Sequence, residues 1–467
     1  MLNWQRAYNT LDIPHLRSPE GLHPDPYDHA ALPVYANSIG KNHEFVEMTQ
    51  LERGKTVDAN GRRGEGTFYH GPFTLPTADL YAKFCDKLID KSYGLGSLMH
   101  QGEVTGLTPL PSSSGFELEI SRASSAETVH MTASNVVLAR GPTARWNLPE
   151  WAAPLFREDA ALPSPHCRLS IAHAWQMVDS NSTSGLRPEQ QSKSSKFVDA
   201  VKPTDRVVVV GGGLTSAHLV SLLAKQGVQD IRLVLRGQRK VKQFDLILPW
   251  FGDDRWAKRR EFETASIPEK LDTLMADRDG GSITPELDGR IQALEAEGRC
   301  QVVECTQIRS ARWVEPAVGK PSEPIATSSS CHNHNSCPAQ QSGEECAGYW
   351  EICFDDDTDC RADKVWLATG SRTDANSDPL LQQMMAQHPI GLHKGLPDVG
   401  PTLRWAEEVP LYVMGGMAAL QLGPDATNLA GGLRGACRIS DELKERLQSA
   451  GEAGAACSGS PGGDMSV

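Results

Sequence analysis

Four consecutive β-branched residues, Val207–Val210, run into Gly211-Gly212-Gly213 and then into the small and apolar stretch "LTSAHLV". An apolar run, a glycine cluster and an apolar helical pattern predict strand, tight turn and helix over residues 205–226. A second apolar run, "IRLVLRG" (Ile231–Gly237), returns as the next strand of a β-α-β unit. Upstream, "LPTADLYAKFCDKLIDKSYGL" (Leu75–Leu95) puts Leu80, Phe84 and Leu88 on one face, with Lys83, Lys87 and Lys91 elsewhere. That pattern predicts an amphipathic helix with Thr77 as N-cap. Short strands are expected in "GFELEISR", "ETVHMTASNVVLARG", "RCQVVECTQIRSARWVE", "YWEICFDD" and "KVWLATG", and charged helices over 257–299. Residues 178–202 and 316–348 are polar and Ser-rich and read as a linker and an inserted loop. The Gly/Ala/Ser-rich end, 451–467, reads as a disordered tail.

Composition narrows the class. The 467 residues suffice for two or three domains, and 39% hydrophobic with 22% charged residues fits a globular chain. A formal net charge of −13 argues against nucleic acid as the partner, and no apolar run is long enough to span a membrane. The eleven cysteines are scattered, and no basic segment followed by an apolar core opens the chain. A cytoplasmic location is expected.

The glycine turn carries the most specific chemistry. Gly211, Gly213 and Ser216 occupy a G-x-G-x-x-small pattern, followed by Thr215 and its neighbours in the first helical turn. The first glycine permits the turn, the second lets a pyrophosphate approach the backbone, and the third position lets helix and strand pack. At the end of the next strand stands Arg236, with Arg239 and Lys240 after it and no carboxylate in its place. Guanidinium groups suit a 2′-phosphate, so NADPH is expected rather than NADH. Two further strand-to-turn segments are candidate cofactor contacts: Thr369 and Gly370 in "KVWLATG", and Gly415, Asn428, Leu429 and Ala430 in "LYVMGGMAALQLGPDATNLAGG". Small residues and free N–H groups at a helix start can face a phosphate or a flat ring.

Together these stretches resemble the two-dinucleotide flavoprotein monooxygenases, in particular the lysine/ornithine N-hydroxylase branch. Asp363, Leu367 and Ala368-Thr369-Gly370 match the family's D-x3-(L/F)-A-T-G-Y segment, with Ser371 in place of tyrosine. "GGGLTSA" and Arg236 match its NADPH turn, and "NVVLARGPTARWNLPEW" looks like its first crossover, with Arg140 where threonine is usual. "LDIPHLRSPEGLHPDP" looks like a segment near the flavin, with His15, Arg17, His23 and Asp25 as a polar cluster, read either as site residues or as turn and salt-bridge residues.

The resemblance implies an α/β architecture of two Rossmann-like three-layer domains. An FAD-type domain (1–177 and 363–450) would carry an inserted NADPH domain (203–362). It further implies FAD beside NADPH, and oxygenation of a small nucleophilic substrate by O₂. No catalytic side chain is assigned, no metal is expected, and self-association is left open. The family opens with a strand and its own G-x-G-x-x-G, which holds the FAD diphosphate. Residues 1–100 supply no such unit, since "GRRGEG" (Gly61–Gly66) lacks the strand. The chain is therefore expected to be either shortened at that end or a variant without FAD.

Three other readings stand beside this one. Cys300 and Cys305 have the C-x4-C spacing of a disulfide reductase, but an offset of five in a strand sends them to opposite faces. "CHNHNSC" (Cys331–Cys337) offers zinc-type ligands without zinc-site spacing, and a polar loop fits it better. A nucleotide-binding protein without catalysis is the non-enzyme alternative.

Overall fold

The computed structural model describes residues 2–48, 71–111, 115–122, 128–141, 145–157, 159–160, 164–179, 195–315 and 348–457. Gly61–Gly66 and Cys331–Cys337 lie outside the described residues.

The valines before the glycines form the strand Arg206–Val210, at the centre of a five-stranded parallel sheet. The order across it is Cys300–Val303, Asp230–Val234, Arg206–Val210, Lys364–Leu367 and Ile171–His173. Every neighbouring pair is parallel. A continuous apolar run suits a strand covered on both faces. Val207 and Val209 pack under helices with Leu219, Leu223, Leu287 and Ile291. Val208 faces the other way, against Trp350, Ile352 and Phe354 of an antiparallel meander formed by Ile308–Val314, Tyr349–Phe354 and Asp359–Ala362. Helices, sheet and meander make three layers.

The second unit repeats that plan. Val409–Val413 pairs in parallel with Val136–Leu138 and antiparallel with Arg404–Ala406. A meander of Glu103–Pro109, Phe116–Ser121 and Thr128–Ala133 and the helices Pro379–Gln387 and Leu429–Cys457 share its core, with Gln383 of the first helix bonded to Thr105 and Leu107 of the meander. The two Rossmann-like α/β units are the architecture expected of an FAD- and NAD(P)-binding fold.

Several boundaries differ from the sequence expectation. The strand Lys364–Leu367 was expected in the FAD-type unit, yet it pairs with Arg206–Val210, and Ile171–His173 pairs beyond it. The boundary expected at 362/363 therefore runs through the five-stranded sheet. Leu11 also belongs to that sheet's core, as do Phe197 and Val198 from the expected linker. The predicted helix at 75–95 runs over Ala78–Lys87, with Thr77 as its cap (Leu80 N–H to Oγ1, 3.2 Å). Thr74–Pro76 instead forms a short strand against Phe45–Glu47. Leu80, Phe84 and Leu88 are buried, as their spacing predicts. The last helix continues to Cys457, into the stretch expected to be disordered. Alanines at 453, 455 and 456 favour that continuation. No described helix is long and apolar enough to cross a membrane.

Candidate functional site

The turn at Gly211–Gly213 divides its three fingerprint positions by role. Gly211 has φ +145° and lies under the neighbouring strand, where a Cβ would come 2.3 Å from the Ala368 carbonyl oxygen. Its glycine is required by strand packing. Ser216 is fully buried, and its Oγ donates to the Gly213 carbonyl at 2.6 Å. Ser216 is thus a packing residue, the role its place in the pattern implies, and as a candidate cofactor contact its hydroxyl is already taken by Gly213. Gly213, half-buried, stands at the start of the helix Leu214–Lys225, on the side where Gly281 lies. The nearest atom to a Cβ there would be Gly281 Cα, at 3.7 Å. Thr215 is half-buried in the first helical turn. A glycine cradle that a side chain would fill, at a helix N-terminus, is an anion site in its geometry.

Of the three cations after the second strand, only Arg236 is exposed without an ion-pair partner among the described residues. The guanidinium of Arg239 is held by Asp288 (3.3 Å), Glu295 (3.0 Å) and Glu304 (3.5 Å). Lys240 pairs with Asp279 at 2.6 Å. The expected basic cluster is therefore one free arginine beside two neutralised neighbours.

Thr369 and Gly370 fold into a clamp on Asn147. The Thr369 hydroxyl donates to the Asn147 carbonyl, and the Gly370 carbonyl accepts the Asn147 N–H at 3.0 Å. Gly370 takes φ +77° to make the turn. Asp363 caps the start of the same strand, accepting from the Arg206 amide (2.8 Å) and guanidinium (2.8 and 3.0 Å). Beneath the clamp His173 stacks on Trp146, with centroids 5.1 Å apart, and burial pushes its pKa down to about 4, so it is neutral. Thr369, Gly370 and Asn147, and Asp363 and Arg206, satisfy one another, whereas buried His173 Nε2 has no hydrogen-bond partner among the described residues.

The third segment presents a helix start. Gly415 (φ +68°) and Gly432 have open space where a Cβ would be, whereas a Cβ on Gly431 would lie 2.2 Å from the Asp425 carbonyl. Asn428 leads into the helix Leu429–Cys457, with Leu429 and Ala430 half-buried in its first turn. Leu429 packs against the N-terminal cluster of Leu16, Leu80 and Phe84. The turn before it is fixed from below by buried Asp425, which accepts from both terminal nitrogens of Arg434 at 2.6 and 2.7 Å.

A contact invisible in the sequence joins the first and third segments. Arg278 ends the helix Ile267–Arg278 and donates to the Pro424 carbonyl (2.8 Å), Thr427 Oγ1 and Asp245 (2.9 Å). Asp245 in turn accepts from Asn428 Nδ2 at 3.2 Å. Three residues later Gly281 lies on Gly213: a Cβ at 281 would stand 3.0 Å from Gly213 Cα and 3.2 Å from its nitrogen. The glycine turn and the helix start thus border the same short segment. The adjacent glycines of "DRDGGSIT" mark a turn in the sequence. Nothing local says where that turn docks.

The His15, Arg17, His23 and Asp25 cluster separates into two. His15 Nε2 meets Glu286 at 2.5 Å, and those partners hold the imidazole pKa above its ordinary value despite the burial that opposes it. Arg17 donates to the Gln243 (2.7 Å) and Lys242 (2.8 Å) carbonyls and to Ser282 Oγ (2.8 Å). His23 and Asp25 instead serve the N-terminal helices: Asp25 accepts from the Tyr27 and Asp28 amides and the Tyr93 hydroxyl. The redox-pair reading also fails. Cys300 is buried, with its thiol pushed up to about 12, while Cys305 is exposed in the turn that follows.

The fold and site define the class of two-unit FAD/NAD(P)-binding folds. Among solved structures the chain is similar to the FAD-bound cadaverine monooxygenase of the desferrioxamine pathway from Erwinia amylovora. That match has a TM-score of 0.60 at 15% identity, over 94% of this chain and 85% of that one. It is also similar to the reduced ornithine hydroxylase of Pseudomonas aeruginosa (TM-score 0.54, 17% identity, 81% and 78% covered). The ornithine N-hydroxylase of Kutzneria sp. 744 follows (TM-score 0.50, 16% identity, 80% and 78% covered). At these identities the likeness is one of fold. No family model matches the chain, and no curated protein matches it in sequence.

Proposed function

We propose that this chain is an NADPH- and FAD-dependent oxidoreductase of the monooxygenase type, using O₂ on a small nucleophilic substrate in the cytoplasm. The observation that carries the reading is the glycine turn at the helix start of Gly213, with Arg236 at the next strand end exposed and without an ion-pair partner among the described residues. The cradle fits a pyrophosphate, and Arg236 fits a 2′-phosphate. Bound there, NADPH would supply a hydride. The chain's own part is to bind and orient. The helix start at Leu214 offers amides to the diphosphate, and the Arg278–Asp245–Asn428 bonds fix the opposite wall.

FAD fits less well. Gly415, Gly432 and the helix start at Leu429 leave room for a ring system. Among the described residues, however, Arg206–Lys225 is the single strand-to-helix turn with the G-x-G-x-x-small spacing, so no second fingerprint of that kind is present among them. That observation favours a second reading, an NADPH-binding protein without flavin chemistry.

The purified chain decides between them. A bound-flavin visible spectrum, with NADPH-dependent oxygen uptake, supports the first reading. A protein that stays colourless after incubation with FAD, yet binds NADPH, supports the second. Flavin reduction by NADPH with no substrate oxygenated would place it among the reductases.

A further inference from the structure

The segment that joins the two halves of the site is also the group most directly in the way of a cofactor. Asp279 ends the helix Ile267–Arg278 in the left-handed conformation (φ +50°). Its carboxylate binds Lys240 Nζ at 2.6 Å and Lys242 Nζ at 3.2 Å, and its carbonyl takes a second bond from Lys240 at 2.9 Å. Gly280 (φ +75°) and Gly281 follow, and Gly281 rests on the Gly212–Gly213 backbone. Beyond them the chain is anchored: Ser282 is held by Arg17, and buried Ile283 exchanges backbone bonds with Lys240 and Lys242. The movable part is therefore three residues long, closed by one carboxylate on two lysines. Those lysines follow Arg236 at the strand end where a 2′-phosphate belongs.

We propose that Asp279 is an internal rival of the cofactor's 2′-phosphate. Resting on the NADPH reading above, the proposal is that Asp279–Gly281 closes over the glycine turn while Asp279 holds Lys240 and Lys242. A dinucleotide bearing a 2′-phosphate takes Lys240 from Asp279 and releases the segment. A dinucleotide without that phosphate must break the same ion pairs with nothing to replace them. Selectivity for NADPH then has two sources: direct pairing with Arg236, and opening of the closed segment. The bond the 2′-phosphate competes for, Lys240 to Asp279, is a half-exposed ion pair, so the effect is a few-fold change in affinity rather than an on–off gate.

The test measures NADPH and NADH binding to the full chain by calorimetry, with hydrogen exchange over residues 279–283. Asp279→Asn should tighten both dinucleotides by about two- to fivefold. Lys240→Met should tighten NADH and narrow the NADPH preference by about two- to fivefold. Exchange over 279–283 should rise with saturating NADPH and with saturating NADH alike, because either must displace the segment. Thermal melts check that both variants fold, and either variant alone suffices to decide. Wild-type preference for NADPH with both variants unchanged, or no rise in exchange with either dinucleotide bound, overturns the rival role and leaves the NADPH site standing. Failure of wild type to bind NADPH at all overturns the functional reading itself.

Discussion

Replacing Gly211 and Gly213 separately by alanine should have opposite consequences, although the two residues share one motif. At Gly211 the backbone sits at φ +145°, which costs an L-residue about 1–3 kcal/mol. The new Cβ would also stand 2.3 Å from the Ala368 carbonyl. Relieving that contact moves Ala368 away and strains its 2.8 Å amide bond to the Val210 carbonyl, worth about 0.5–1.5 kcal/mol. Gly211→Ala should therefore lose about 2–4 kcal/mol of stability. Gly213 has φ −108° and ψ −178°, which any residue adopts, with only a 3.7 Å contact to Gly281. Gly213→Ala should stay within about 1 kcal/mol of wild type while losing NADPH affinity, because its methyl group fills the cradle. Urea unfolding followed by far-UV circular dichroism measures the first effect and NADPH titration the second. Wild-type stability in Gly211→Ala, or wild-type NADPH binding in Gly213→Ala, would refute this division of roles.

Arg434→Met should destabilise the chain by about 3–5 kcal/mol, since it leaves the Asp425 carboxylate buried with only Arg259, 3.8 Å away. Adding Asp425→Asn should recover part of that loss, a coupling that a double-mutant cycle reads directly. The His15–Glu286 pair should make stability depend on pH. The His15 pKa is raised from 6.5, so its contribution is full below that value and is lost as pH rises through the folded pKa. That of Glu286 is lowered from 4.5, so its share is present above the carboxylate range and is lost in acid. His15→Gln should therefore lower the melting temperature more at about pH 6 than at about pH 8. An equal drop at both would contradict a charged pair.

What was legible in the sequence is what local chemistry determines. The apolar run Val207–Val210, the capped helix after Thr77 and the helix start at Asn428 follow from neighbouring residues, and the structure has all three. Parallel pairing is not local. Nothing in "KVWLATG" tells that this strand lies beside Val207–Val210 rather than in the other unit, because either sheet would bury it equally well. Charge partners from distant elements were equally hidden. Arg239 looked like part of a phosphate site until Asp288, Glu295 and Glu304 converged on it from the helix Pro285–Ala296 and from beyond the strand Cys300–Val303. Nothing local marks Asp279 in the sequence, because its placement beside the glycine turn is set by the docking of Ser282 and Ile283.

The most direct measurement of the central claim compares NADPH and NADH binding to wild type and Arg236→Met. Wild type should bind NADPH more tightly. The variant should lose about ten- to hundredfold in NADPH affinity, the value of a charge-assisted phosphate contact, and bind NADH as before. Equal affinity of wild type for the two dinucleotides, or an unchanged NADPH affinity in the variant, would contradict it.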